Sequence, residues 1–400
     1  MKKETEDFTN KSIKARLLSS QRISSLDLTR IFAMFMMIQG HTFDALASPH
    51  ELDINNFPWS LWAYLRRYTS PMFLMVSGAV QVFANKRNEQ GKLDNNTIWR
   101  RIKIALILIA VGYMFNCPVS NAFDLFYIDS KSWIPFLQIG ILQIIGVSLI
   151  SVLLVFLLTK NDKSLGITSF IIATTIIFSS AFVHNIRWFQ ILPESLASYI
   201  SFDHGSGFTV FPYMGFMFSG VTYGTLLKQI APDKRIKFIL YSGIPIGLIF
   251  IFLGFQFYPI YTRHFFFDVV MKANPGIIFN QIGTVFIVLS FAALVFTLTK
   301  KLAFYYSFFG KKALFIYITH LFLIYGTPWS QGIGKIYNKS LPLGITFIIV
   351  ICVEVASFAI AYLYEYSQNK FPYSKKIYRY ILIGVILYFL VIGRLVLLLS

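Results

Sequence analysis

Long apolar runs recur along the whole of this 400-residue chain, and residues 134–158 (IPFLQIGILQIIGVSLISVLLVFLL) pass without a single charge. A run of ~20 apolar residues is long enough to cross a hydrocarbon core as a helix. Lipid offers no partner for backbone N–H and C=O groups, so only helices or a closed barrel can span it. A barrel would show shorter segments of alternating polarity. The runs therefore predict an all-α, multi-pass transmembrane bundle. Composition agrees: 56% of the residues are hydrophobic and 14% charged, against ~25% charged in soluble domains, and the mean hydropathy is +0.62.

Eleven spans are predicted, at 27–48, 58–84, 102–118, 134–158, 165–183, 207–227, 236–257, 277–299, 313–328, 341–364 and 378–398. With the N-terminus inside, 26 of the 36 Lys and Arg fall in cytoplasmic segments and eight on the outer side, as the positive-inside rule demands. The net charge of +18 is thus a topology signal suited to anionic lipid headgroups, not to nucleic acid. Residues 1–25 read as a basic cytoplasmic segment and 26–400 as one membrane domain in the cell membrane. Ala45-Leu46-Ala47 resembles a signal-cleavage site. Arg30, Gln39 and His41 interrupt the run before it, and signal peptides are cleaner and shorter, so a retained first span is expected. Cys117 and Cys352 lie in separate spans and offer no disulfide framework. Walker A, G-x-S-x-G and H-E-x-x-H motifs are absent from the sequence.

What remains is a set of ionisable groups placed in membrane spans, where each costs at least ~2.5–3.5 kcal/mol near the bilayer centre. Asp27 and Arg30 share a face at the cytoplasmic edge, where a local ion pair would tie down the helix end. His41 follows ~21 Å further along the same helix at 1.5 Å per residue. Asp44 lies one turn beyond, on the same face. A carboxylate beside an imidazole can hold its tautomer and raise its basicity, which is the equipment of a general base. A structural histidine bonded inside the bundle is the plain alternative. Arg66 and Arg67 precede a kink expected at Pro71; they either snorkel to the interface or line a polar vestibule. His320 falls near mid-membrane with Tyr317 one turn before it, and Glu354 is intramembrane as well. His50, His184, His204 and His264 fall in outer loops or helix ends, where solvated or structural roles are expected. The costly groups should face inward and form a semi-polar shaft. Such a shaft suits an enzyme joining a cytoplasmic donor to an outer acceptor. It also suits a solute transporter, although no inverted repeat is visible, and a purely structural scaffold is a third reading.

Five segments in order resemble one family. Arg22-x-x-x-Leu26-Asp27-x-x-Arg30, then Met37 and His41-x-x-Asp44, is similar to the opening of the heparan-alpha-glucosaminide N-acetyltransferase catalytic family, part of the wider group of transmembrane acyltransferases. Pro71-Met-Phe73-Leu-Met-Val-Ser77-Gly78, Leu142-Gln143-Ile-Ile-Gly146-Val-Ser and Phe211-Pro212-Tyr-Met-Gly215 with Gly220 and Gly224 resemble later segments. Gly310-Lys-Lys-Ala-Leu314-x-x-Tyr317-x-x-His320 resembles the helix near the end, so the likeness runs over essentially the whole membrane region. One departure is Ile31, where the family usually has glycine.

The resemblance implies acyl-CoA, acetyl-CoA above all, as cytoplasmic donor substrate and a sugar or glycan as outer acceptor, with no metal required. On that reading His41 is the base, oriented by Asp44, or forms an acyl-histidine. Arg30 and the basic loops would hold the CoA phosphates. His320 and Tyr317 would line the shaft or polarise the carbonyl, Gln39 and Gln143 would add amide donors, and Arg66 and Arg67 would receive an anionic group. The oligomeric state is left open, a homo-oligomer included.

Overall fold

The first helix, α1 (Ser24–Leu46), runs through the middle of the bundle. Its Leu26, Ala33, Met34, Ile38, Phe43 and Leu46 are at most 1% exposed. An apolar stripe that wide can be satisfied only by neighbours on several sides. The computed structural model describes residues 23–265, 272–371 and 373–399, so residues 1–22 of the expected basic N-terminal segment lie outside the described residues.

The expected span 58–84 is two helices, α2 (Trp59–Arg66) and α3 (Thr69–Ala84). The chain breaks at Arg67 and Tyr68 instead of kinking at Pro71. Pro71 sits in the first turn of α3, where a missing N–H leaves no intrahelical bond unmade. After α4 (Asn95–Phe115), the expected span 134–158 is likewise divided. A short α5 (Ser130–Leu137) precedes α6 (Ile141–Leu158), which starts behind Gly140. Then come α7 (Asp162–His184), a single turn α8 (Glu194–Ala197), α9 (Val210–Gln229), α10 (Arg235–Thr262) and α11 (Pro275–Leu298). Next, α12 (Ala303–Lys311) lies outside any expected span, and the ninth, 313–328, holds α13 (Ala313–Tyr325); the helical segment Lys300–Lys311 is bent 62° from α13. A small hairpin, β1 (Gly326–Thr327) with β2 (Ser330–Gln331), leads to α14 (Ile333–Tyr337), α15 (Leu343–Lys370) and α16 (Ser374–Leu399). Among the described residues, α6, α7, α10, α11 and α15 are long and apolar enough to cross a membrane. The bent pair makes a sixth if it counts as one span.

Small residues decide how closely these helices approach. A methyl on Gly78 of α3 would run into the Met217 carbonyl of α9, and one on Gly220 of α9 into the Met75 carbonyl of α3. The two backbones therefore touch. Helices α10 and α11 meet in the same way, Gly247 against the Gly283 carbonyl.

At one end of the bundle three arginines close three helix C-termini. Arg101 donates to the Ala84 carbonyl (3.1 Å) and the Asn85 side chain (2.8 Å) at the end of α3. Arg87 reaches the carbonyl of Thr159 and its hydroxyl (2.8 Å) at the end of α6. Arg235, 5% exposed, donates from Nε to the carbonyls of Leu227 and Ile230, each at 3.0 Å, at the end of α9. Cations suit these positions because the last carbonyls of a helix lack partners and carry the negative end of its dipole. At the opposite end, backbone hydrogen bonds stitch α1 to the segment before α15: Lys339 to Ala45 (3.1 Å), Leu341 to Leu46 (2.9 Å) and Ser48 to Leu341 (2.9 Å).

Candidate functional site

The bundle brings His41 of α1 and His320 of α13 together. Their rings stack with centroids 5.5 Å apart and planes 29° from parallel. His41 Nδ1 hydrogen-bonds the Tyr325 hydroxyl at 3.1 Å, and the two rings meet edge to face. Tyr317 presents its ring edge to His320 at 5.0 Å and leans on Phe73 of α3. His320 is fully buried, and its Nε2 has no hydrogen-bond partner among the described residues. Leaving a buried polar atom unpaired costs about 1–3 kcal/mol. His41, His320 and Tyr317 thus form a contiguous cluster where α1, α3 and α13 meet.

Asp44 is placed differently from the expectation. Its carboxylate is gripped at both oxygens by Arg66, Nη1 to Oδ1 at 2.8 Å and Nη2 to Oδ2. The hydrogen-bond partner of the His41 ring is Tyr325, not Asp44. Arg66 lies across Gly40, where a Cβ would be 2.8 Å from its Nε, and stacks over Trp62 at 4.3 Å. Arg67 is exposed and caps α2, its carbonyl accepting from Gln281 (3.4 Å). Gln39 joins the same side, its Oε1 accepting from the Trp62 indole at 3.1 Å and its amide meeting Met36 Sδ.

Gln143 is not part of this cluster in the contacts it makes. It is 1% exposed, its Oε1 caps the start of α6 through the Gly140 amide (3.1 Å), and it fills the space left by Gly112. Arg30 reaches Ser77 of α3 at 3.2 Å, while Asp27, 1% exposed, packs where Gly310 of α12 has no side chain. Ile31 is 8% exposed and belongs to the core. At the ends of α3, α6 and α9 an open cleft of about 560 Å³ is lined by Lys86, Arg87, Asn88, Lys160, Asp162 and Lys228, among others. Arg87 is committed to the end of α6, and Lys228 pairs with Asp162 (2.9 Å). Glu354 is half-buried on α15.

At the opposite end the loops are pinned by side chains. The Asp53 carboxylate accepts from the Asn55 amide (2.9 Å) and Asn56 (2.6 Å), and these bonds hold its pKa below the usual value. Glu51 caps α15 through the Leu343 amide at 2.7 Å. His184 hydrogen-bonds the Phe211 carbonyl (2.6 Å) where α9 departs from helical geometry, and His204 pairs with Glu194 (2.8 Å). His50 is exposed, and His264 meets the Ile260 carbonyl. Two contributors, Tyr325 and Trp62, were not singled out from sequence, and Ser77 stood only within the Pro71–Gly78 segment, with no role of its own. With 22 Tyr and 42 Phe in the chain, one more aromatic in an apolar helix carries no signal of its own.

No curated protein matches the chain at a meaningful level. The family model described as heparan-alpha-glucosaminide N-acetyltransferase, catalytic, matches residues 22–266, which takes in His41, Asp44, Arg66, Ser77, Gln143 and the Phe211–Pro212 segment. His320, Tyr317 and Tyr325 lie beyond the matched stretch. With more than half of its length matched, and the polar cluster of α1 inside that match, the chain belongs to the heparan-alpha-glucosaminide N-acetyltransferase catalytic family.

Proposed function

We propose that the protein moves an acyl group, acetyl in the first instance, from acyl-CoA at the basic, cytoplasmic end of the bundle to a sugar or glycan at the other end, in the plasma membrane. Family membership implies acetyltransferase activity with an acetyl-CoA donor in general. The observation that carries the finer reading is the His41–His320–Tyr325 cluster, set inside the bundle with Arg66 and Asp44 beside it. A thioester expels a thiolate and needs little acid help, so the main demand is a base for the attacking amine or hydroxyl. His41 takes that proton as the new C–N or C–O bond forms. The C–S bond breaks and its electron pair leaves on the CoA sulfur. His320 and Tyr317 line the path, and Arg30, with the lysines at the basic end, meets the CoA phosphates. Attack by His41 itself, with an acyl-histidine intermediate, uses the same residues in two steps.

The test is transfer of labelled acetyl from acetyl-CoA to amino-sugar acceptors by the purified protein in nanodiscs. His41→Ala should lower the rate by ~10²–10⁴-fold, the scale of one general base, with an unchanged melting temperature. Solute flux into proteoliposomes with no covalent change, and no response to acyl-CoA, would replace this reading with that of a transporter.

A further inference from the structure

We infer that Tyr325 is the positioning residue of this site: its phenol oxygen accepts from Nδ1–H of His41 and so leaves the free lone pair on Nε2. The role rests on the proposed use of His41 as base and adds to it the identity of the reacting nitrogen.

A neutral imidazole has one donor and one acceptor nitrogen, and the partner of one fixes the character of the other. Of the groups around His41, Asp44 is gripped by Arg66 and His320 stacks on the ring face, whereas the hydrogen bond to a ring nitrogen comes from Tyr325 at 3.1 Å. With the phenol accepting, Nδ1 keeps its hydrogen and Nε2 can take the acceptor's proton. With the phenol donating, Nε2 would carry the hydrogen and the neutral ring would have no free lone pair to act as a base. The phenol is uncharged, so it orients the ring without adding a second buried charge to a site in an apolar bundle.

The chain around Tyr325 is built to hold that hydroxyl in place. Tyr325 ends α13, and Gly326 follows with φ 79° and ψ −154°, a conformation open essentially to glycine. A methyl on Gly326 would meet the Ser330 carbonyl across the hairpin, one on Gly332 the Ile324 carbonyl, and one on Gly334 would lie 2.9 Å from that same carbonyl. The Trp329 indole donates to the Ser120 carbonyl at 2.6 Å, anchoring the hairpin tip to the segment after α4. Three glycines and an indole thus fix one helix end from several sides. A plain connection between helices would not need such closeness.

The test is Tyr325→Phe, which keeps the ring and removes only the hydroxyl. In nanodiscs kcat should fall ~10–100-fold, by analogy with the cost of losing the hydrogen-bond partner that orients a metal-ligating histidine, while KM for acetyl-CoA and the melting temperature stay near wild type. Nitrogen-15 NMR of histidine-labelled protein, with the His41 signals assigned by their loss in His41→Gln, should show Nδ1 protonated in the wild type and a mixture of tautomers in Tyr325→Phe. Wild-type kcat in Tyr325→Phe, with His41→Ala inactive, overturns the positioning role and leaves the base in place. An Nε2-protonated His41 in the wild type overturns it as well. Undiminished transfer by His41→Ala removes the base, and the positioning role with it.

Discussion

Arg66 closes a two-point fork onto Asp44 across the bare backbone of Gly40. Both side chains keep contact with solvent, at 24% and 47% exposure, so the pair should add only ~0.2–1 kcal/mol to stability. Asp44→Asn is expected to melt close to wild type and to lose less of kcat than Tyr325→Phe. Measuring both variants side by side decides which residue governs His41. A loss in Asp44→Asn as large as in His41→Ala would mean that the carboxylate acts on the imidazole after all.

Gly220→Ala should be costly even though it adds a single methyl. The added carbon would collide with the backbone carbonyl of Met75, which cannot swing aside as a side chain can. Overpacking of this kind costs typically about 1–3 kcal/mol, and a lowered melting temperature in detergent would report it. Gly344→Ala, where nothing lies within 4 Å of the added carbon, is the matching control and should melt as wild type does.

Arg235→Gln and Arg87→Gln should register in stability and not in donor affinity. Each arginine pairs with carbonyls or a hydroxyl at the end of a helix, and unpairing buried groups costs about 1–3 kcal/mol apiece. Melting temperatures are expected to fall with KM for acetyl-CoA little changed. A large rise in KM at constant stability would instead place these guanidinium groups on the CoA phosphates.

Gly326→Ala tests the collar around Tyr325. Its backbone sits at φ 79°, where a side chain costs of order 1–3 kcal/mol. Relief of the clash with Ser330 has to displace the end of α13. The variant should therefore combine a lower melting temperature with the kcat loss of Tyr325→Phe. A drop in stability with full kcat would show that the hydroxyl keeps its place without the collar.

The candidate site was legible where its residues are expensive. His41, Asp44, Arg66 and His320 stand out because ionisable groups in apolar runs are costly; the structure meets that cost by burying His320 and by pairing Asp44 with Arg66. The glycines of α9 were legible only as part of a resemblance; that Gly220 touches Met75 is a property of a neighbour the sequence does not name. The breaks at Arg67–Tyr68 and at Gln138–Gly140 were missed because apolar windows average across them. The basic residues at one end read as topology signals, yet Arg87, Arg101 and Arg235 also close helix ends.

By itself, then, the sequence determined that the chain is a helical membrane bundle, that α1 carries a costly polar cluster, and which family it resembles. Those follow from hydropathy, periodicity and local spacing, all of which act along the chain. Only the tertiary structure decided that His41 bonds Tyr325 while Asp44 is held by Arg66. Helix registry sets those partners, and registry comes from where glycines let backbones touch and where connecting turns pin helix ends. These are interactions between residues far apart in the sequence, and no local pattern encodes them.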